Sequence, residues 1–275
     1  MALLILPAGL LVLALLAAPM AILFRISLNR FSPTELMVEA LTPANYIQAF
    51  SDPYYQGVLT TTLLMAFACT LIALVLGFPA AYSLARMQSR WKSLVTILTL
   101  FPLFVGNVIR SAGWLALFGT DGAINASLKG LGLISSSFQM MYTTGAVVVG
   151  IVAVVLPYMI LTLSAVIESI PRQTEEAAAN LGAAPMTVFR RVVLPLAMPG
   201  VAAGSVLVFI LCMNAYATPV LLGGPQFKMM APAVYDQFVK SNNWPFGAAL
   251  AFLLLIVTLT LTAVGSAVLG RRYRR

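Results

Sequence analysis

Residues 168–199 read ESIPRQTEEAAANLGAAPMTVFRRVVLPLAMP and lie between two long apolar runs. A segment that merely joined two membrane helices could be a few residues long. This one instead reads as two short helices with a turn between them. Ser169 is placed to cap the first helix, and Pro171 suits its first turn. The run Glu175-Glu176-Ala177-Ala178-Ala179-Asn180-Leu181 forms helix readily, with its acids towards the positive end of the helix dipole. Gly182 can take the left-handed conformation that closes a helix. Pro185 then opens a second segment, in which Met186, Phe189, Val192 and Val193 make an apolar stripe and Arg190 and Arg191 reach headgroup level. Ala177, Ala178 and Leu181 share one face of the first helix and are small enough to let another surface approach. The pattern alone fits two structures equally: a hairpin resting on the bilayer, or a handle offered to another protein.

The runs on either side of this loop place it in a membrane protein. The chain has 275 residues, of which 61% are hydrophobic and only 9% charged, and its mean hydropathy is +0.97. A water-soluble domain of this length needs far more charge to cover its surface. Six stretches, roughly 2–24, 58–84, 94–117, 143–167, 200–222 and 247–269, are long enough to cross the hydrocarbon core. Lipid offers no water to exposed peptide groups, so each is expected to be helical. The fold class is therefore all-α, a polytopic membrane protein with six transmembrane helices. Pro79, Pro102, Pro157 and Pro219 interrupt four of these spans and invite kinks. The first stretch is too long for a signal peptide and has no basic residue before it, which favours an uncleaved span.

Ten of the sixteen basic residues fall on the side of the 168–199 loop: Arg86, Arg90, Lys92, Arg172, Arg190, Arg191 and the four arginines of 271–275. Five fall on the other side (Arg25, Arg30, Lys129, Lys228 and Lys240), and Arg110 lies within the third span. The ten-residue side is expected in the cytoplasm with both termini, although Arg25 and Arg30 depart from that rule. A net charge of +8 distributed this way marks membrane topology, and no nucleic-acid partner is expected. The chain has no histidine, which removes the commonest metal ligand and general base, and no metal site is expected. Cys69 and Cys212 both lie in apolar runs and read as small core residues.

Three residues within the spans are candidates for a translocation pathway. Arg110 is costly inside a span; it either lines the pathway or snorkels to the outer interface. Asn214 and Tyr216, with Thr218, precede Pro219 where the fifth span is expected to break. Broken helices often line transport cavities, and such side chains equally serve hydrogen bonding between helices. The outer loop 223–246 is expected to hold a short helix over 231–239, with Asp236 its only acid. Gly77, Gly113 and Gly204 are expected at close helix contacts, and Trp91, Trp114 and Trp244 at the membrane interfaces.

Glu176-Ala177-Ala178, then Gly182, then Val192 and Leu194-Pro195 resembles the EAA motif of binding-protein-dependent ABC importer permeases. Every spacing fits; Val192 stands where isoleucine is usual. Further stretches resemble the spermidine/putrescine branch, and its first permease in particular: Asn45-Tyr46, Val108-Ile109-Arg110-Ser111 with Trp114, Asp121-Gly122 with Asn125, Thr218 to Pro225, and Asn243 to Ala249. The implied solute is a polyamine, with ferric iron, phosphonate, opine or sulfate, carried by related branches, as the alternatives. The resemblance implies a type I, MetI-like permease fold. Residues 1–57 would hold the first transmembrane helix and an outer loop, 58–270 the importer transmembrane domain, and 271–275 a basic cytoplasmic tail. It implies that the loop docks on an ATPase through Glu175, Glu176, Ala177, Ala178, Leu181, Gly182, Ala183 and Pro185. The implied partners are two copies of a cytoplasmic ABC ATPase, a second and different permease, and a periplasmic or lipid-anchored solute-binding protein, in the bacterial inner membrane. No G-x-x-x-x-G-K-[ST] phosphate loop occurs, so ATP and Mg are expected on the ATPase, with no cofactor and no catalytic residue in this chain. An ion-coupled secondary transporter would need carboxylates within its spans, which are essentially missing, and a membrane-embedded enzyme has no catalytic cluster to build on.

Overall fold

A computed structural model of the chain describes residues 2–271, and side chains over 11–267. The helices in chain order are α1 (Ala2–Ser27), α2 (Ala44–Ser51), α3 (Pro53–Arg86), α4 (Lys92–Phe104), α5 (Asn107–Phe118), α6 (Ala123–Gly130) and α7 (Thr144–Ser169). They continue with α8 (Arg172–Asn180), α9 (Pro185–Val188), a π-helical turn (Phe189–Val193), α10 (Leu194–Met213), α11 (Ala217–Gly223), α12 (Met230–Val239) and α13 (Trp244–Arg271). Among the described residues the only extended pairing is an isolated bridge between Arg30 and Val38. The chain is all-α, as expected.

The count of membrane spans is close to six. Four helices are long and apolar enough to cross a bilayer: α3, α7, the continuous Pro185–Met213 helix and α13. The count rises to five when Lys92–Phe104 and Asn107–Gly130, bent by 98° at the Val105–Gly106 break, are taken together as one span. The last candidate, α1, has 26 residues. The sequence reading treats 94–117 as one helix, and the structure breaks it. Pro102 deletes a backbone donor in the last turn of α4, and Val105 and Gly106 are extended. Pro79 and Pro157, by contrast, sit inside unbroken helices. The fifth span also differs from its expected bounds. It begins at Pro185 rather than 200, because the second loop helix runs through the π turn into α10, and it ends at Met213 rather than 222.

Two compact units divide the chain: residues 1–61 with 229–257, and 62–228 with 258–275. In the first, Asn45 is buried and its Nδ2 donates to the carbonyls of Ser27 (2.7 Å) and Asn29 (2.8 Å), tying α2 to the end of α1. Phe24 packs edge-on against Phe252 (5.4 Å), and Tyr55 against Phe246 (4.9 Å). The expected outer helix is α12, and its Asp236 pairs with Lys240 at 2.7 Å.

The second unit is organised on α7. Its Val147, Ile151, Val155, Met159, Leu163 and Ile167 recur every four residues and are all essentially inaccessible. A ridge of large residues at that spacing needs a groove of small ones. Neighbouring helices bury small residues, Ala66, Cys69, Ala73 and Ala81 on α3 and Ala197, Gly200, Gly204 and Cys212 on α10, and glycines of both meet α7 directly. Lipid tails are as apolar as the side chains, so close packing, not hydrophobic transfer, holds such helices together. Met159 shows how close. A Cβ on Gly77 would lie 2.9 Å from its Cγ, and one on Gly204 2.9 Å from its Sδ. Gly113, expected at a similar contact, has no such neighbour within 4 Å. Gly150 and Gly200 do, against Thr218 and Val166. Cys69 and Cys212 are free and buried.

Candidate functional site

The 168–199 loop departs from α7 two residues later than its sequence suggests. Ser169 is the last residue of α7, and its Oγ donates back to the Val166 carbonyl at 2.7 Å. Pro171, extended at ψ 132°, is the residue that caps α8. A serine hydroxyl that can satisfy itself within the preceding turn has no need to start a new helix. At the other end the Gly182 amide donates to the Ala179 carbonyl (2.9 Å) and the Ala183 amide to Ala178 (3.1 Å). Gly182 sits at φ +86°. This pair of bonds closes the helix around a left-handed residue, and only glycine takes that conformation without cost.

The two glutamates at the start of α8 point in opposite directions. Glu175 is turned inward, its side chain only 15% exposed, and pairs with the Arg86 guanidinium at the end of α3. Tyr82 donates its hydroxyl to the other carboxylate oxygen at 2.7 Å. Glu176, Ala177, Leu181, Gly182 and Pro185 are exposed, while Ala178 and Ala183 are half-buried. Leu181 is 89% exposed. Met186, expected in an apolar stripe with Phe189, Val192 and Val193, is 65% exposed, whereas Val193 is buried.

Arg110, Asn214 and Tyr216 come together. They line one cavity of 540 Å³, with Asn107, Tyr158 and Thr218 supplying further polar groups. Each broken span contributes an edge. The α10 helix ends at Met213, and Asn214 Nδ2 donates to the Ile210 carbonyl at 2.9 Å. The break expected near Pro219 thus falls at Asn214–Tyr216, and Pro219 occupies the first turn of α11, where its missing donor costs nothing. On the other edge Arg110 reaches back across the α4–α5 bend, and its Nη2 donates to the carbonyls of Pro102 and Val105 (2.7 Å to the latter). The Pro102 carbonyl also accepts from the Val105 amide at 3.3 Å, so the guanidinium adds a charged donor to an end-of-helix carbonyl and to the first carbonyl beyond α4. Nε and Nη1 are buried and meet no acceptor among the described residues. No acid lines the cavity. Glu168, in the last turn of α7, pairs with Lys92 at 2.9 Å.

Sequence reasoning missed Asn107, Tyr158 and Ser111. Ser111 is buried, its hydroxyl 3.4 Å from that of Thr218. Gly150 lets Thr218 come this close, since a Cβ there would lie 2.6 Å from the Thr218 methyl. Pro102 and Gly106 ahead of Asn107, and Pro157 before Tyr158, are the signals that point to two of these positions; Ser111 has none.

The chain is thus a helical membrane protein with a long, partly exposed helical loop and a polar cavity at two broken spans. Residues 73–275 match the family described as binding-protein-dependent transport system inner membrane component, and the chain belongs to that family. It is a multi-pass inner-membrane permease subunit of an ABC importer. It is 37% identical over 206 residues to the spermidine/putrescine transport system permease protein PotB of Salmonella typhimurium, a match covering 75% of this chain and 72% of that one. It is 31% identical over 215 residues to the molybdenum transport system permease protein ModB of Mycobacterium bovis, covering 78% of this chain and 80% of the other. In fold it resembles a bacterial ABC transporter that imports the acidic polysaccharide alginate, with a TM-score of 0.78 at 18% identity over 98% of this chain and 94% of that one.

Proposed function

We propose that this chain is the first permease of a polyamine importer, carrying spermidine or putrescine inward at the expense of ATP hydrolysed by a separate subunit. The observation that carries the reading is its 37% identity, over three quarters of its length, to a spermidine/putrescine permease. In this reading α8 is the handle. Glu176, Ala177, Leu181, Gly182 and Pro185 meet the ATPase; Ala178 and Ala183 support that face, and Glu175 holds it in place. The chain pairs with a second, different permease, two ATPase copies that bind ATP and Mg, and a solute-binding protein. Both termini and α8 face the cytoplasm, by the excess of basic residues on that side. Residues 58–270 carry the transport machinery. Arg110, Asn214 and Tyr216 belong to the pathway wall. No carboxylate lines the cavity, so this chain meets a cationic solute with amide oxygens and the aromatic faces of Tyr158 and Tyr216.

A second reading keeps the permease role and changes the solute to a small anion. Arg110 is the only charged residue lining the cavity, which favours it, as does the 31% identity to a molybdenum permease. The test is uptake by the full complex in proteoliposomes. ATP-dependent accumulation of labelled spermidine or putrescine, indifferent to a protonophore and to excess molybdate, is the expected result. Uptake of molybdate in its place selects the second reading. Polyamine uptake that collapses with the proton gradient while ATP stays high, or ATP hydrolysis by this chain alone in detergent, overturns the importer-permease reading.

A further inference from the structure

Chain connectivity ties α8 to α7 on one side and to the α9–α10 helix on the other. Side chains tie it to a third span. Phe78, Tyr82 and Arg86 are spaced four apart near the end of α3, so they lie along one face, and each touches the loop. Phe78 and Tyr82 set their rings edge-on to Phe189 in the π turn, at 5.3 and 6.5 Å. Tyr82 and Arg86 both bind the Glu175 carboxylate. Two backbone bonds then interlock the same segments: Arg86 Nη1 donates to the Ile170 carbonyl at 3.1 Å, and Arg172 Nη2 donates to the Arg86 carbonyl at 2.6 Å. The side chains of the ion pair are only 14% and 15% exposed, so the pair is partly shielded from the screening that makes open surface pairs weak. Among the described residues no other helix end is tied to α8 through an ion pair.

From this geometry we infer that Tyr82, Arg86 and Glu175 form a strut that makes α3 move with α8, so that displacement of the handle by the ATPase reaches a span to which the loop is not directly connected. They are positioning residues: they touch neither solute nor nucleotide. Glu175 thereby differs in role from Glu176 beside it, which faces outward. A covalent neighbour would follow α8 in any case; α3, which otherwise meets the spans flanking the loop through packing such as Gly77 on Met159, is tied to α8 itself by these contacts. The inference rests on α8 being the ATPase handle.

The experiment uses the complete importer in proteoliposomes and reads ATPase retention, ATP hydrolysis and solute taken up per ATP. Arg86→Gln and Glu175→Gln are expected to keep the ATPase bound and hydrolysing while uptake per ATP falls on the order of tenfold. Tyr82→Phe, which removes one hydrogen bond and is the mildest test of folding, is expected to lower it by roughly threefold. Bridging Arg86→Cys and Glu175→Cys in one chain with a short bis-maleimide is expected to restore coupling, since the native cysteines are buried. Unchanged uptake per ATP in the glutamine variants, release of the ATPase by either, or no recovery on bridging overturns the strut. Leu181→Asp tests the underlying reading separately: it is expected to release the ATPase, and if the ATPase stays bound the handle assignment fails whatever the strut does.

Discussion

In the 168–199 loop the inward charge meets its opposite: Glu175 faces Arg86 and a tyrosine hydroxyl, and what remains outward is one glutamate among small and apolar residues. In the cavity wall a charge meets only dipoles: Arg110 is held by two carbonyls at the end of a broken helix, with two of its nitrogens buried and unmatched among the described residues. The loop joins separate segments through paired charges and presents a face. The cavity is made where two helices stop, and its cation serves to close one of those ends. A paired network of this kind suits a part that is pulled as one piece; a capped break suits a wall that needs polar groups at membrane depth.

The loop side of that contrast breaks most easily at Gly182. Proline fixes φ near −65°, and the chain there needs +86°. Gly182→Pro is expected to cost about 3 kcal/mol or more of local structure and to uncouple ATP hydrolysis from uptake while the protein still inserts. Solute-stimulated hydrolysis and uptake equal to the parent complex would falsify the idea that this turn sets the handle's direction.

On the cavity side the corresponding change is Arg110→Met. It keeps the volume but leaves the Pro102 and Val105 carbonyls without their charged donor. Hydrogen bonds to charged groups contribute about 1.5–3 kcal/mol, and the gain from removing a partly unmatched cation offsets some of it. A loss of roughly 2 kcal/mol is expected, read as a lower thermal midpoint in detergent, with Arg110→Lys in between. A variant as stable as the parent would show that the bend is held by packing and that the arginine serves the solute alone.

Gly150→Ala asks whether the cavity floor is as tightly built as its edge. The added Cβ would sit 2.6 Å from the Thr218 methyl and 2.9 Å from a Leu222 methyl. Overpacking of this kind costs about 1–3 kcal/mol, and the expected result is a loss of roughly 1.5 kcal/mol, together with loosening of the Ser111–Thr218 contact. The same substitution at Gly113, which has no such neighbour within 4 Å, should be neutral or better in the same assay.

These positions also separate what was legible in the sequence from what was not. The loop could be read because all its instructions are local: a helix former, a left-handed glycine and a proline follow one another within a dozen residues, and each acts on its neighbours. The inward turn of Glu175 could not, since it depends on Arg86, 89 residues away in the chain. The apolar runs of α3, α7 and α13 were equally plain, because lipid demands length and hydrophobicity and little else. The bend at Val105–Gly106 was hidden for the opposite reason: Pro102 signals a break no more loudly than Pro79 or Pro157, and only packing decides which proline is accommodated. Arg110 was visible as costly but not as a cap, because its carbonyl partners become available only once α4 ends. Gly150 and Ser111 carry no local signal, and matter because α11 happens to lie against them.

Lys92 and Glu168 offer the mildest test of the contrast. They join the start of α4 to the end of α7 at 2.9 Å, yet their side chains are 38% and 44% exposed. An ion pair that open to solvent is worth under about 1 kcal/mol, and at 1 M salt, where the screening length is about 3 Å, most of that disappears. Lys92→Met is therefore expected to lower the thermal midpoint only slightly at low salt and not at all at high salt. The more enclosed Arg86–Glu175 pair should keep most of its effect under the same conditions, because its tyrosine and backbone bonds are not screened away. If instead the two pairs respond alike to salt, enclosure is not what distinguishes the loop's network, and the strut would lose its advantage over the open Lys92–Glu168 pair.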